Sequence, residues 1–303
     1  MTMSDEKKFE FDIPFKSAVQ PVRLGPNDKF NFRCYKGVSC FNECCKQADI
    51  TLAPYDIIRL KDRLGISATE FLKKYTVPST LDAHGLPLIK MRTMDQKPVC
   101  QFMDEEKGCT VYEDRPSACR YYPLGLMSMR KEHEYTDERG YVIVKEAHCM
   151  GHKEDNNQTV DEYRKEQGVE IYDDMNRDWY QLILKKQSSG PAVGKPSEMS
   201  LQMFFMCCYD LDRSRRFFLS EPFRKTYDLD DAFFKEIETD DMTVMKFGMR
   251  FLKQILFGEV TIKEREGAYE KRVDERKDIM EMRKKVALEE FNRKNDMYTD
   301  SSD

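Results

Sequence analysis

The apolar positions of this chain change period along its length. Lys29 to Cys34 alternates apolar and polar side chains, the two-residue period of a strand. Ile57, Leu60 and Leu64 then recur at helical spacing, with Pro54 suited to a first helical position and Gly65 to a helix end. Ser67-Ala68-Thr69-Glu70 reads as a capping box ahead of Phe71, Leu72 and Tyr75. Leu86 to Arg92 reads as a further strand. Leu126 to His133 and Tyr141 to Lys145 predict a hairpin, turned by Asp137-Glu138-Arg139-Gly140. A second capping box, Thr159-Val160-Asp161-Glu162, opens helical sequence that runs to about Gln187 with a break at Gly168. The lone Trp179 lies there and reads as a core anchor.

Ser188 to Glu198 is a Gly/Pro/Ser linker. Helices follow from about Met199 to Phe257, with Met245, Met249, Leu252 and Leu256 on one core stripe. After Gly258 the chain reads as a charged helix. Its thin apolar seam, Tyr269, Val273, Met280 and Val286, suits docking on the helical region or on a protein partner. Together these elements predict an α+β chain. A flexible arm (1–20) precedes a small cysteine-rich α/β metal-binding domain with short hairpins (21–155). A mainly helical region (156–258) and a charged C-terminal helix and tail (259–303) complete it.

Composition narrows the functions. Of 303 residues, 40% are apolar, enough for a sizeable core. Fifty Lys and Arg against 55 Asp and Glu leave a net charge of -5, which argues against a broad nucleic-acid footprint. No apolar run approaches the ~20 residues that cross a bilayer, and Met1 to Phe15 holds no leader-like apolar stretch. The expected setting is cytoplasmic, without a membrane partner.

Ten cysteines are many for a reducing compartment, where stable disulfides are uncommon and clustered thiols bind metal or do redox chemistry. Eight of them, Cys34, Cys40, Cys44, Cys45, Cys100, Cys109, Cys119 and Cys149, fall in the first half of the chain. Thiolate is a soft ligand suited to zinc or to an iron–sulfur cluster. Four and four would make two centres; one centre could equally take four or five sulfurs and leave the rest buried. Cys207 and Cys208, beside Met203, Phe204, Phe205 and Met206, read as core. Thiolates around a divalent ion leave excess negative charge, so nearby cations should offset it. Arg33, Lys46, Arg115 and Arg120 flank the clusters, and Arg120, next to Cys119, stands out. His148 and His152 bracket Cys149, and either could replace a sulfur; His84 and His133 read as a turn and an exposed strand.

The run Gly108-Cys109-Thr110-Val111-Tyr112-Glu113-Asp114-Arg115-Pro116-Ser117-Ala118-Cys119-Arg120-Tyr121-Tyr122-Pro123 resembles the YkgJ-type, or CxxCxxCC, family, described as zinc- or iron-chelating. Cys100-Gln101-Phe102, Cys149-Met150-Gly151 and the step from Thr51-Leu52 into Asp56 to Leu60 resemble it too. The first cluster departs from the pattern: its gaps are five and three residues rather than two, and only the adjacent pair Cys44-Cys45 is kept. The resemblance covers roughly residues 30 to 155 and implies metal binding. Relatives in the grouping include the flagellin lysine methylase, so it also admits a methylase-like enzyme.

Three functions compete. The first is a zinc-binding module, the second an iron–sulfur oxidoreductase or electron-transfer protein. The third is a reactive thiol at Cys44-Cys45, favoured by the neighbouring Lys46. Gly190-Pro191-Ala192-Val193-Gly194-Lys195 falls one residue short of a phosphate loop and has Pro196 where Ser or Thr belongs. No residue pair states a reaction.

Overall fold

The computed structural model describes residues 17–81, 85–95, 97–128, 139–188 and 196–268, and residues 270–289 apart from 272, 275, 276, 279, 280, 283 and 287. His84, His133, the 190–195 segment, Tyr269, Met280 and the tip of the predicted hairpin lie outside the described residues. The elements in chain order are β1 (Lys29–Asn31), α1 (Pro54–Leu64), α2 (Ala68–Tyr75), β2 (Thr76–Leu81), β3 (Leu86–Met91), β4 (Met103–Asp104) and β5 (Gly108–Cys109). Then come α3 (Ser117–Tyr121), β6 (Leu124–Ser128), β7 (Arg139–Ile143), β8 (Asn157–Thr159), α4 (Val160–Gln167) and α5 (Glu170–Ser188). The helical half adds α6 (Glu198–Tyr209), α7 (Leu211–Phe218), α8 (Glu221–Thr226), α9 (Asp231–Thr239) and α10 (Asp241–Phe257). The class is α+β, with strands paired as antiparallel ribbons β1-β8, β2-β3, β4-β5 and β6-β7.

Local chemistry explains the helix ends. At α4 the capping box is complete: Thr159 Oγ1 accepts from Glu162 N at 3.1 Å, and Glu162 Oε2 accepts from Thr159 N at 2.8 Å. Gly168 closes that helix at φ 62°, in the left-handed region glycine enters without a Cβ clash. Ser67 Oγ caps α2 through Glu70 N at 3.1 Å. Asp56 reaches back to Ala53 N at 2.8 Å at the start of α1, where Pro54 takes the first helical position.

β2 was not expected. Its Thr76 pairs with Met91 and its Leu81 with Leu86. Pro78 reads against a strand, yet β2 pairs on one side only, where a missing N–H does no harm. Residues 18–24 run along β7, with Gln20 N donating to Ile143 O at 2.8 Å and Leu24 N to Tyr141 O at 2.7 Å.

One large core spans both halves of the chain. It joins Leu52, Ile57, Phe71 and Leu86 to Trp179, Phe204, Phe218 and Leu252. Met245 and Met249 are buried, as the stripe predicts, and Leu256 packs against them from the edge. α6 and α10 meet closely at Gly248, where an added Cβ would stand 3.0 Å from Cys207 O. A second core gathers Phe30, Phe32, Tyr121, Tyr141, Val160 and Tyr163 beneath β1 and β7. Each such side chain contributes ~1.5–3 kcal/mol by burial. Val273 and Val286, with Met282 and Leu288, are exposed. No helix among the described residues is long and apolar enough to cross a membrane.

Candidate metal centre

Chain reversals bring the cysteines of the first half together. Cys44 and Cys45 sit on a 3₁₀ turn, Glu43–Gln47, entered by Asn42 at φ 70°. Asparagine tolerates that left-handed conformation, and its amide donates to the carbonyls of Asp104 (3.1 Å) and Glu105 (3.4 Å). The turn is thereby tied to the β4-β5 ribbon that carries Cys109. Gly108 precedes Cys109 at φ 84°, and an added Cβ would lie 2.8 Å from Phe41 Cζ. Cys100 N donates to Cys45 O at 2.8 Å. Cys119 rides on α3, whose N-terminus is held by Asp56: Oδ1 accepts from Ser117 N (2.9 Å) and Oδ2 from Ser117 Oγ (3.1 Å). The β1-β8 pairing and Arg33 N to Gly151 O (3.1 Å) carry Cys34 toward Cys149. Met150 N donates to Cys40 Sγ at 3.1 Å.

Mutual electrostatics sort these thiols into two adjoining sets. Burial first, then the charges of Cys100, Cys109 and Cys44, push the Cys119 thiol upward. Cys100 is raised by burial and by Cys109 and Cys44. Cys109 is raised by burial and by Cys44. Cys45 donates to Cys44, which raises Cys45 and draws Cys44 down to about 7; burial and the charges of Cys44, Cys100 and Cys119 raise Cys45 further. These five form an inner set. The outer set is Cys34, Cys40 and Cys149: burial, then Cys44, Cys40 and Cys149, lift Cys34 to about 11. Cys44 therefore faces both sets. Exposure does not divide the sets: Cys100 is buried, Cys34 and Cys44 are exposed, and Cys40, Cys45, Cys109, Cys119 and Cys149 lie between.

Clustered thiols that hinder one another's ionisation are a donor set for a cation, which would favour every thiolate at once. The distances fit in part. A tetrahedral ion with sulfurs at ~2.3 Å sets sulfur–sulfur edges of about 3.8 Å. Cys44 Sγ and Cys45 Sγ stand 3.9 Å apart. Among the described residues no three His, Cys, Asp or Glu side chains yet converge to hold an ion. Ligation of the sets therefore requires the short cysteine side chains to turn inward.

The cation that faces the thiols is Arg115, not Arg120. The Arg115 charge favours the thiolates of both Cys34 and Cys109, though burial pushes both thiols up more strongly. It is held by Gln167 Oε1 at 2.7 Å and lies over the Tyr112 ring at 3.9 Å. Arg120 is a structural clamp. It donates to the carbonyls of Arg115 (3.1 Å), Gln167 (2.8 Å) and Glu113, and stacks on Tyr172. Lys46 pairs with Glu43 at 2.7 Å, and Arg33 lies over Tyr35. His152 Nε2 meets Val144 O at 3.2 Å and its ring leans on Phe32, whereas His148 Nε2 lies 3.5 Å from Glu146 Oε2. Cys207 and Cys208 are wholly buried in α6, in the core. Sequence reasoning missed Glu146 and Tyr122: Tyr122 OH donates to Glu146 Oε2 at 2.9 Å, and Cys149 N donates to Glu146 O at 3.0 Å.

Residues 33–163 match the model of the CxxCxxCC family, described as "Putative zinc- or iron-chelating domain". Comparisons with curated proteins and with solved structures returned no match.

Proposed function

We propose that residues 33–163, which match the CxxCxxCC family model, chelate metal through Cys34, Cys40, Cys44, Cys45, Cys100, Cys109, Cys119 and Cys149. The eight thiols make two adjoining centres, with Cys44 between them. What supports this reading is the family match together with the turns and hydrogen bonds that draw these cysteine-bearing loops to one region, with Cys207 and Cys208 buried apart in α6. A four-thiolate shell suits zinc and iron–sulfur ligation alike. When bound, the ion or cluster neutralises the thiolates and fixes the loops that carry them. A structural zinc site contributes roughly 10–16 kcal/mol in peptides, against ~5–15 kcal/mol for a whole domain.

The chain's own groups prepare the site. Asp56 and Arg120 fix α3, and with it Cys119. Asn42 fixes the turn carrying Cys44 and Cys45, and Arg115 supplies positive charge between the sets. The test is elemental and acid-labile sulfide analysis of protein purified without oxygen. Zinc gives colourless protein without sulfide; an iron–sulfur cluster gives brown protein with it. Cys109→Ser and Cys119→Ser lose most of the metal, and Cys207→Ser keeps it. Full metal in both cluster variants overturns the assignment.

A further inference from the structure

A cavity of about 300 Å³ lies where the cysteine-bearing half of the chain meets the helical half, between α3, β6, α5 and the segment that leads into α1. Small-molecule sites of ~300–1,000 Å³ favour such junctions. Its walls are aromatic and aliphatic: Tyr121, Leu124, Leu126, Trp179 and Tyr180. The Trp179 and Tyr180 rings stand 5.0 Å apart, inclined at 59°. Among the described residues no charged side chain lines the space. Tyr121 OH donates to Asp173 at 2.7 Å, so Tyr121 offers the cavity its ring. Ser117 Oγ donates its one proton to Asp56 Oδ2 at 3.1 Å, so toward the cavity it can only accept. Ala118 beside it is exposed and also lines the cavity.

Walls without charge leave an ionic ligand unpaired, and so select a neutral one. Aromatic walls favour a flat ring. A cavity of ~150 Å³ holds one benzene ring, and this one has twice that room. An acceptor of settled direction at Ser117 favours a ligand that brings an N–H or O–H. We propose that this cavity is a binding site for a neutral fused-ring aromatic molecule with a hydrogen-bond donor. The donor is directed at Ser117 Oγ, and the rings lie between Tyr121, Trp179 and Tyr180. The site is separate from the thiols: Ser117 and Ala118 precede Cys119 on α3, yet no cysteine lines the cavity. The proposal therefore stands independently of the metal-chelating reading.

The experiment uses full-length protein as purified. Indole is the probe, and benzofuran, which has an oxygen where indole has its N–H, is the control. Calorimetry reads the affinities. Trp179 is the single tryptophan of the chain, so protein labelled with fluorotryptophan gives one fluorine signal, from the cavity wall. Indole is expected to bind at one site with a Kd of at most ~1 mM and to shift that signal. Benzofuran sets an oxygen against Ser117 Oγ and should bind at least ~10-fold more weakly; Ser117→Ala should remove most of this preference. Ala118→Leu and Leu126→Phe narrow the cavity from α3 and β6, and each should weaken indole binding at least ~10-fold. Circular dichroism checks that the variants fold. No indole binding by wild type, binding that neither narrowing variant weakens, or an unshifted fluorine signal overturns the site. Equal affinities for indole and benzofuran, or a preference that survives in Ser117→Ala, overturn the ligand class.

Discussion

Asp56 offers a sharp test of how the site is built. Its side chain is wholly buried and accepts from Ala53 N (2.8 Å), Ser117 N (2.9 Å) and Ser117 Oγ (3.1 Å), joining α1 to the helix that carries Cys119. Burial outweighs these bonds and the nearby Arg120 charge, and the carboxyl sits at about 6 rather than 3.8. A native state that holds this proton more tightly than the unfolded chain is favoured at low pH. That contribution is complete below the unfolded value and lost as pH rises through the folded one. At ~1.36 kcal/mol per pH unit the total is about 3 kcal/mol, of which roughly 1.4 kcal/mol falls between pH 5 and 7.5. In Asp56→Asn this slope disappears. The amide also turns an NH₂ toward one backbone N–H, which costs ~1–3 kcal/mol and offsets the relieved charge. The variant should therefore lie within ~2 kcal/mol of wild type at pH 7.5 and fall behind by a further ~1.4 kcal/mol at pH 5. Urea unfolding of both metal-saturated proteins at pH 5, 6 and 7.5 reads the difference. A gap that does not change with pH would refute the buried, titrating carboxylate.

Other substitutions probe separate parts of the account. Gly108→Ala forces a side chain into φ 84° and against Phe41, so it should lower metal retention as well as thermal stability; unchanged metal content would count against the role of the β4-β5 turn. Arg115→Gln removes a charge that lowers Cys34 and Cys109, so metal uptake, which needs thiolate, should shift to higher pH in a titration. An unshifted curve would remove Arg115 from the site. Phe218→Ala empties a wholly buried position ringed by Phe217, Phe223, Phe247 and Phe251, and should cost ~3–5 kcal/mol in denaturant unfolding.

Features with local chemistry were readable from the chain alone. The Thr159 capping box, the Gly65 and Gly168 stops and the Met245 stripe each rest on residues a few positions apart, and each stands where the pattern puts it. The separation of Cys207 and Cys208 from the other eight was equally plain, because apolar neighbours announce burial. β2 was hidden by Pro78, whose edge position only the pairing reveals. The choice between Arg115 and Arg120 depended on carbonyls and an amide near Gln167, far along the chain. Adjacency to Cys119 singled out Arg120, whose guanidinium is spent on backbone carbonyls. Glu146 and Tyr122 meet across 24 residues through the fold of β6 and β7, and no spacing rule links them.

X-ray absorption at the edge of the bound metal tests the central claim most directly. The account predicts a first shell dominated by sulfur at ~2.3 Å, losing intensity in Cys119→Ser and unchanged in Cys207→Ser. A shell of nitrogen and oxygen alone, or one indifferent to Cys119, would contradict it.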